Sequence, residues 1–568
     1  MRFLPILAVL LAGPIPPASA QIWVKHPDAP QAASPEATAE TQDPQDMGPQ
    51  GDGTMSTATD AAMPKAAPPR GPGSSLGGSG DTGTDSIGIL PARDTGFGRA
   101  TWRYTSFGTV VSLMEKLPER IDSAASHELA KNLLVSIADA PTGDDGGSGL
   151  LTLRVRKLLA MGNVADAAAL ARAAPGLPDD AQLAHLEVEA ELLAGQVESA
   201  CIDLRSFAAV LTDPVSQSAL ALCRQNAGET FDDGLPPIDV QSLGAAARIS
   251  GSPLAADPRN SPPPHLVAAA MDTQNDPGLR LENAFAAGRA SALTGEFLAK
   301  LFAASPSAGL LAEGGAPSDG AGAAALYQAI AQDSTIEQKL TLVERGVLSP
   351  LGVSDKVGVA MASPLHAFQP VPELGTVAQR FAILFYTIGD IEAATPWAEL
   401  ADADGKPALL WPYRVLIKQA DMTGIGDWEE ASGLDAPHLA RVLMILSAFG
   451  ITKPPAGTTR IAGDDRPEAP FAELLGMDQS AKDLHVGETV LRALTVLGRE
   501  GPAQAHPLTL RRVLADLEQV SLHNEARALA FEAITAAIFD GKQAGTGQNS
   551  SGQNGTGQLG SLKYGAGP

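Results

Sequence analysis

Aromatic side chains are scarce, at 4 % of the 568 residues. Charged residues are scarce too, at 18 %, and they are unbalanced: 65 acidic against 40 basic leaves a formal net charge of −25. An acidic surface repels phosphate, and no basic patch offsets it, so nucleic acid is excluded as a partner. No run of about 20 apolar residues occurs and the mean hydropathy is +0.02, which excludes a multi-span membrane protein. There are only two cysteines, Cys201 and Cys223, with no histidine nearby, too few ligands for a thiolate metal site.

Catalytic patterns are missing as well. The chain has no H-E-x-x-H, no G-x-x-x-x-G-K-[ST] and no G-x-S-x-G elbow in a strand–turn–helix setting. The glycine-rich stretch 143–149 lacks the lysine and preceding strand of a phosphate cradle. His485 and Glu488 stand one helical turn apart, and a solvated pair near a helix start is expected rather than a metal site. Asp402-Ala403-Asp404-Gly405 is placed as a turn, because Tyr413 stands where a calcium loop needs its bidentate glutamate. No catalytic residue, metal set or cofactor is expected.

What is present begins with an address. Arg2, the apolar run Phe3–Ala12, the breakers Pro14, Pro16 and Pro17, and then Ala18-Ser19-Ala20 follow the order of a secretory signal peptide. Cleavage after Ala20 would release an exported chain, periplasmic or extracellular, that does not span a membrane. In such a compartment Cys201 and Cys223 are a disulfide candidate, two buried thiols being the alternative.

Many of the 58 glycines and 44 prolines cluster. Residues 21–98 have few large apolar groups and are expected to be a disordered spacer; 541–568 are expected to be a disordered tail. Between them apolar residues recur at helical spacing, as in Leu129, Leu133, Leu134 and Ile137, or Leu510, Val513, Leu514 and Leu517. No stretch alternates with a period of two. The fold class is therefore all-α, with helical repeats at 99–230, a Pro-rich linker at 231–275 and a second helical region at 276–540.

One pattern occurs twice. Leu153, Val155, Leu159, Gly162, Val164 and Ala167 recur at the same spacing as Leu186, Val188, Leu192, Gly195, Val197 and Ala200. Each copy reads helix, Gly-polar-Val, helix. Glycine allows a tight turn and the small alanine allows close helix approach. Gly389-Asp390-Ile391 with Ala394, and Ser521 with Ala526, are looser echoes. Gly162-Asn163-Val164-Ala165-Asp166-Ala167 and its partner resemble the Gly-x-Tyr-x-x-Ala half of a tetratricopeptide repeat, with Val for Tyr. The family's first-helix Trp and Leu-Gly are missing from both copies. The resemblance is confined to these two copies and implies stacked helical hairpins, a TPR-like α-solenoid.

Phe381, Phe385, Tyr386, Trp397, Trp411, Tyr413 and Trp428 concentrate the few aromatics. Tyr386, Trp397, Trp411, Tyr413 and Trp428 are the candidate binding residues, since such rings dominate interface hot spots. Packing filler is their other role. Trp397 after Pro396 and Trp411 before Pro412 are expected at partly exposed helix starts. The functional expectation is a non-enzymatic scaffold that binds a protein or cell-envelope component. The alternative is a wall-acting hydrolase, which would need two inward carboxylates beside these rings.

Overall fold

Asp residues begin many of the helices, and part of the acidic excess is placed there. Asp180, Asp213, Asp276, Asp319, Asp355, Asp390 and Asp435 each accept a backbone N–H at a helix N-terminus. Each satisfies an orphan donor and sits at the positive end of the helix dipole. The computed structural model describes residues 83–143, 149–174, 180–229, 244–254, 256–305, 316–332, 334–348, 352–404, 408–454 and 466–550. The expected signal peptide, most of the spacer and the end of the tail lie outside the described residues.

The fold is all-α, and among the described residues only isolated bridges pair extended backbone. The chain opens with α1 (Ala92–Thr95), α2 (Phe107–Glu115) and α3 (Ala124–Val135). The two-copy repeat folds as α4 (Gly149–Ala160), α5 (Val164–Arg172), α6 (Ala181–Leu193) and α7 (Val197–Ser206), followed by α8 (Pro214–Asn226). Next come α9 (Pro263–Met271), α10 (Pro277–Arg289), α11 (Gly295–Ala304), α12 (Gly320–Ala331), α13 (Ile336–Val347) and α14 (Lys356–Ala362). Then follow α15 (Gly375–Thr387), α16 (Ile391–Ala403), α17 (Trp411–Leu416), α18 (Ile425–Ser432) and α19 (Ala436–Ala448). The last are α20 (Phe471–Lys482), α21 (Val486–Leu497), α22 (Pro507–Gln519) and α23 (His523–Ser550).

Sequence neighbours pack pairwise: α4 on α5, α5 on α6, α15 on α16, α20 on α21, and α22 on α23. The first helices also meet the last, α2 against α21 and α3 against α21 and α23. One continuous apolar core runs from Phe97 to Ile538. Three expected boundaries therefore move. Asp85, Thr95 and Phe97 are buried, so the folded body starts inside the expected spacer. The expected linker 231–275 contains α9, whose Leu266, Val267 and Ala268 are core. Its prolines start a helix, since a proline at the first turn gives up only an N–H that has no partner there. The helix of α23 runs to Ser550, past the expected start of the tail.

Among the described residues the hairpin turn of the repeat is used five times. At Gly162, Gly195, Gly389, Leu484 and Ser521 the backbone turns to positive φ, between 58 and 87°. In each, that residue's N–H bonds the carbonyl three residues back, and the next N–H bonds the carbonyl five back, as in Gly162 to Leu159 and Asn163 to Leu158. This is the Schellman closure of one helix, and the next helix begins at once. The small residue five on is buried each time at Ala167, Ala200, Ala394 and Ala526, with Thr489 in its place after Leu484.

Leu484 carries a Cβ into the left-handed region and is 61 % exposed, so it has strain without packing to offset it. Leu484→Gly is expected to raise stability by about 0.5–1 kcal/mol, less than the full strain because glycine also frees the unfolded chain. Gly195→Ala is expected to lower it by a similar amount; the new Cβ would stand 3.0 Å from Arg248 Nη1. Urea unfolding of the two variants measures both signs.

Candidate functional site

The expected aromatic surface is not a surface. Tyr386, Trp397, Trp411, Tyr413 and Trp428 are all buried. Trp397 stacks on Phe381 with centroids 3.9 Å apart, and Tyr386 stacks on Tyr413 at 5.2 Å. Trp411 lies 5.8 Å from Trp428 and donates its indole N–H to the Asp421 carbonyl at 2.8 Å. Tyr413 Oη bonds Thr535 Oγ1 at 2.9 Å, which ties α17 to α23. Burial pushes its phenol pKa up, and that of Tyr386 up to about 12, so both stay neutral. The helix carrying Trp397 starts at Ile391, so Pro396 lies inside it and Trp397 is no edge residue. A chain with few rings has used these as filler where several helices converge.

Cys201 on α7 and Cys223 on α8 are bonded, with Cα atoms 5.5 Å apart. His485 and Glu488 sit at the start of α21, Nδ1 to Oε2 at 3.4 Å, and Glu488 also pairs with Arg492. Asp402 bonds Arg414 Nη1 at 2.5 Å; Gly405 lies outside the described residues.

The surface with unexplained features is elsewhere, where α2 meets α20 and α21. Trp102 packs onto Gly487, where a Cβ would come within 2.3 Å of the indole, so α21 can approach only through a glycine. That approach sets α2 beside α20 and leaves a shallow groove of about 480 Å³. Ser106, Thr109, Ser112 and Lys116 line one wall, and Ala472, Glu473 and Arg492 line the other. Lys116 reaches Glu473 at 3.0 Å, and Arg492 reaches it at 3.4 Å. Glu473 is thus held between two cations across the groove floor.

Phe471 and Leu475 lie on α20, the helix that gives Ala472 and Glu473 to the groove, and are 71 % and 53 % exposed. They are four residues apart, hence one above the other on a helix face. The opposite face of α20, with Leu474, Met477 and Ala481, is buried. Two apolar stripes on this helix are readable in the sequence, but which of them meets water is decided only by packing. The arrangement can hold an apolar side chain against Phe471 and Leu475, with hydroxyl and charged groups beside it. No family model, curated protein or solved structure matches the chain. Among the described residues no helix is long and apolar enough to cross a membrane.

Proposed function

We propose that this chain is an exported, non-enzymatic scaffold of TPR-like helical hairpins that binds a protein partner through the α2–α20–α21 face. One observation carries the reading: a phenylalanine and a leucine stand exposed one turn apart on α20, the helix whose Ala472 and Glu473 line a polar groove. Large apolar residues left in water beside hydrogen-bonding groups suit a protein segment that brings its own apolar side chains. The net charge of −25 disfavours an anionic lipid surface or a nucleic acid as the occupant. The Cys201–Cys223 bond supports an oxidising compartment, and the repeated hairpin turn supports the helical-repeat reading. The hydrolase alternative asked for two carboxylates in a cleft beside the 381–428 rings, and those rings are packed against one another.

The test is capture from envelope extract by the mature 21–568 chain, with a cross-linker at position 472, a groove residue that none of the variants changes. Phe471→Asp with Leu475→Asp is expected to lose at least tenfold in recovery of the cross-linked protein. Met422→Asp, at another exposed apolar site, is the control and should lose nothing. Equal recovery by the double variant and the control would sink the assignment.

A further inference from the structure

The second copy of the repeat departs from the first in its core. Laying one copy over the other aligns Gly162 with Gly195 and the two turns with each other. The same register aligns Arg154 with Glu187, Leu158 with Glu191, and Leu170 with Asp203. Leu158 and Leu170 are buried core residues of the first hairpin. The second hairpin puts carboxylates in the same slots and keeps them buried: Glu187, Glu191 and Asp203 are all enclosed. A carboxylate in a leucine's place loses the apolar gain and adds a desolvation cost; Arg172 sets one positive charge against the three carboxylates, which leaves room for a further one.

The geometry says what kind of charge. Glu187 and Glu191 are four apart on α6 and face the same way; Asp203 comes from the neighbouring α7. One oxygen from each lies within 4.8 Å of the other two. Glu191 Oε1 accepts from Ser199 Oγ at 2.9 Å and from Arg172 Nη2. Its other oxygen, Oε2, is buried with no hydrogen-bond partner, and the Glu191 side chain is wholly enclosed. Arg172 also bonds Gln196 Oε1 at 2.9 Å and is partly exposed, so it stands at the solvent side of the cluster.

We propose that Glu187, Glu191 and Asp203 form a binding site for one hard divalent cation of the calcium type in the α6–α7 hairpin. All three donors are carboxylate oxygens, which suit calcium and not a thiophilic metal. At a calcium–oxygen distance of about 2.4 Å, two oxygens of one coordination sphere stand at most about 4.8 Å apart, and the three oxygens meet that limit pairwise. Magnesium, with shorter bonds and a strict octahedron, fits this loose set less well. Asp203 is two residues from Cys201, so the ion and the disulfide would fasten α7 from both sides, to α6 and to α8. The site is distinct from the α2–α20–α21 groove, and neither reading rests on the other.

Calorimetric titration of the chelator-treated 21–568 chain with calcium chloride tests this. One calcium per chain is expected, together with a rise in unfolding temperature that magnesium at the same concentration does not match. Glu191→Gln should weaken binding at least a hundredfold while the fold persists, because its amide keeps the Arg172 and Ser199 contacts and aims N–H groups at the facing carboxylates. Asp203→Asn should act likewise, with circular dichroism to verify folding. Arg172→Gln removes a competing cation and should tighten binding several-fold. Glu296→Gln, an exposed acid on another helix, should change nothing. Absence of a one-site transition in the wild-type chain overturns the proposal whatever the variants do. So does a transition unchanged in folded Glu191→Gln, which would mean calcium sits on the acidic surface.

Discussion

Replacing Arg154 with alanine is expected to cost about 4 kcal/mol of stability. The side chain is 1 % exposed, yet its charged end is fully used. Nε donates to the Leu134 carbonyl at 2.7 Å, Nη2 to the Ser136 carbonyl at 2.7 Å, and Nη1 to the Ile87 carbonyl. These carbonyls belong to the end of α3, the strap after it, and the segment before α1. Burial lowers the guanidinium pKa to about 10, with Asp85 pulling the other way, so the group stays charged at neutral pH. Asp85 in turn accepts the N–H groups of Leu150 and Leu151 at the head of α4, at 3.1 and 2.7 Å. Alanine would leave a void, three buried carbonyls without their donor and an acid without its nearby cation. Each orphaned group costs about 1–3 kcal/mol, and partial relaxation keeps the total near the figure given. Arg154→Met fills the volume and should recover about 1 kcal/mol of the loss. Urea unfolding gives the magnitude, and limited proteolysis should cut first in the segment before α1, which Arg154 holds through the Ile87 carbonyl. A loss under about 1 kcal/mol would mean that water replaces the guanidinium readily.

The same slot is filled differently in the second hairpin. Arg154 and Glu187 are register partners, and both are buried, one with carbonyls and one with carboxylates. The repeat stands out in the sequence by its matching positions. Its mismatches hold the acid cluster, legible once a buried Leu158 is set against Glu191. The hairpins themselves are legible because a helical stripe and a Gly-polar-apolar turn are local signals. The turns at Leu484 and Ser521 are harder, since neither carries the glycine that marks positive φ, and only the Ala526 echo points to the second. The disulfide is legible because two cysteines stand alone in the chain, and they fall on consecutive helices. The aromatic cluster failed as a surface for a reason that composition could not supply. Whether Trp397 and Trp428 face water depends on how many helices converge there, and α15, α16, α17 and α23 come together from distant parts of the chain. The linker failed because Pro262, Pro263 and Pro264 read as breaks, when a proline is equally at home at a helix start.

Glu532→Gln is expected to make the protein more stable at pH 8, by on the order of 4 kcal/mol, and to leave it little changed at pH 5. Glu532 is buried on α23, where its Oε2 accepts from Ser123 Oγ at 2.8 Å and from the Ala125 N–H at 3.4 Å at the head of α3. Burial is the largest cause that lifts its pKa, to about 8, and the nearby Asp355 adds to it. The facing groups are Ser123 and Ala125 on α3, and Ser354, Asp355 and Lys356 before and at the start of α14. Asp355 is itself held by Arg289 of α10 at 2.6 Å. The native chain therefore keeps a proton that the unfolded chain gives up near pH 4.5. Stability from this group is whole below about pH 4.5 and drains away as pH rises toward 8, at about 1.4 kcal/mol per pH unit. Glutamine carries the same acceptor and a permanent donor, so it removes the drain. His127 on α3 supplies the opposite limb. Burial lowers its pKa to about 4, so its contribution is lost as pH falls below 6.5. That acid limb should persist in the variant. Asp516, raised to about 7 by burial and by Asp478, slopes the same way as Glu532, but only up to pH 7. Buried Asp355 is raised as well, so the difference between wild type and variant, and not the wild-type slope alone, reports Glu532. Urea midpoints of wild type and variant from pH 7 to 8 decide the matter: parallel curves would mean the carboxyl is ionised in the native chain and the α3–α23 contact tolerates the charge.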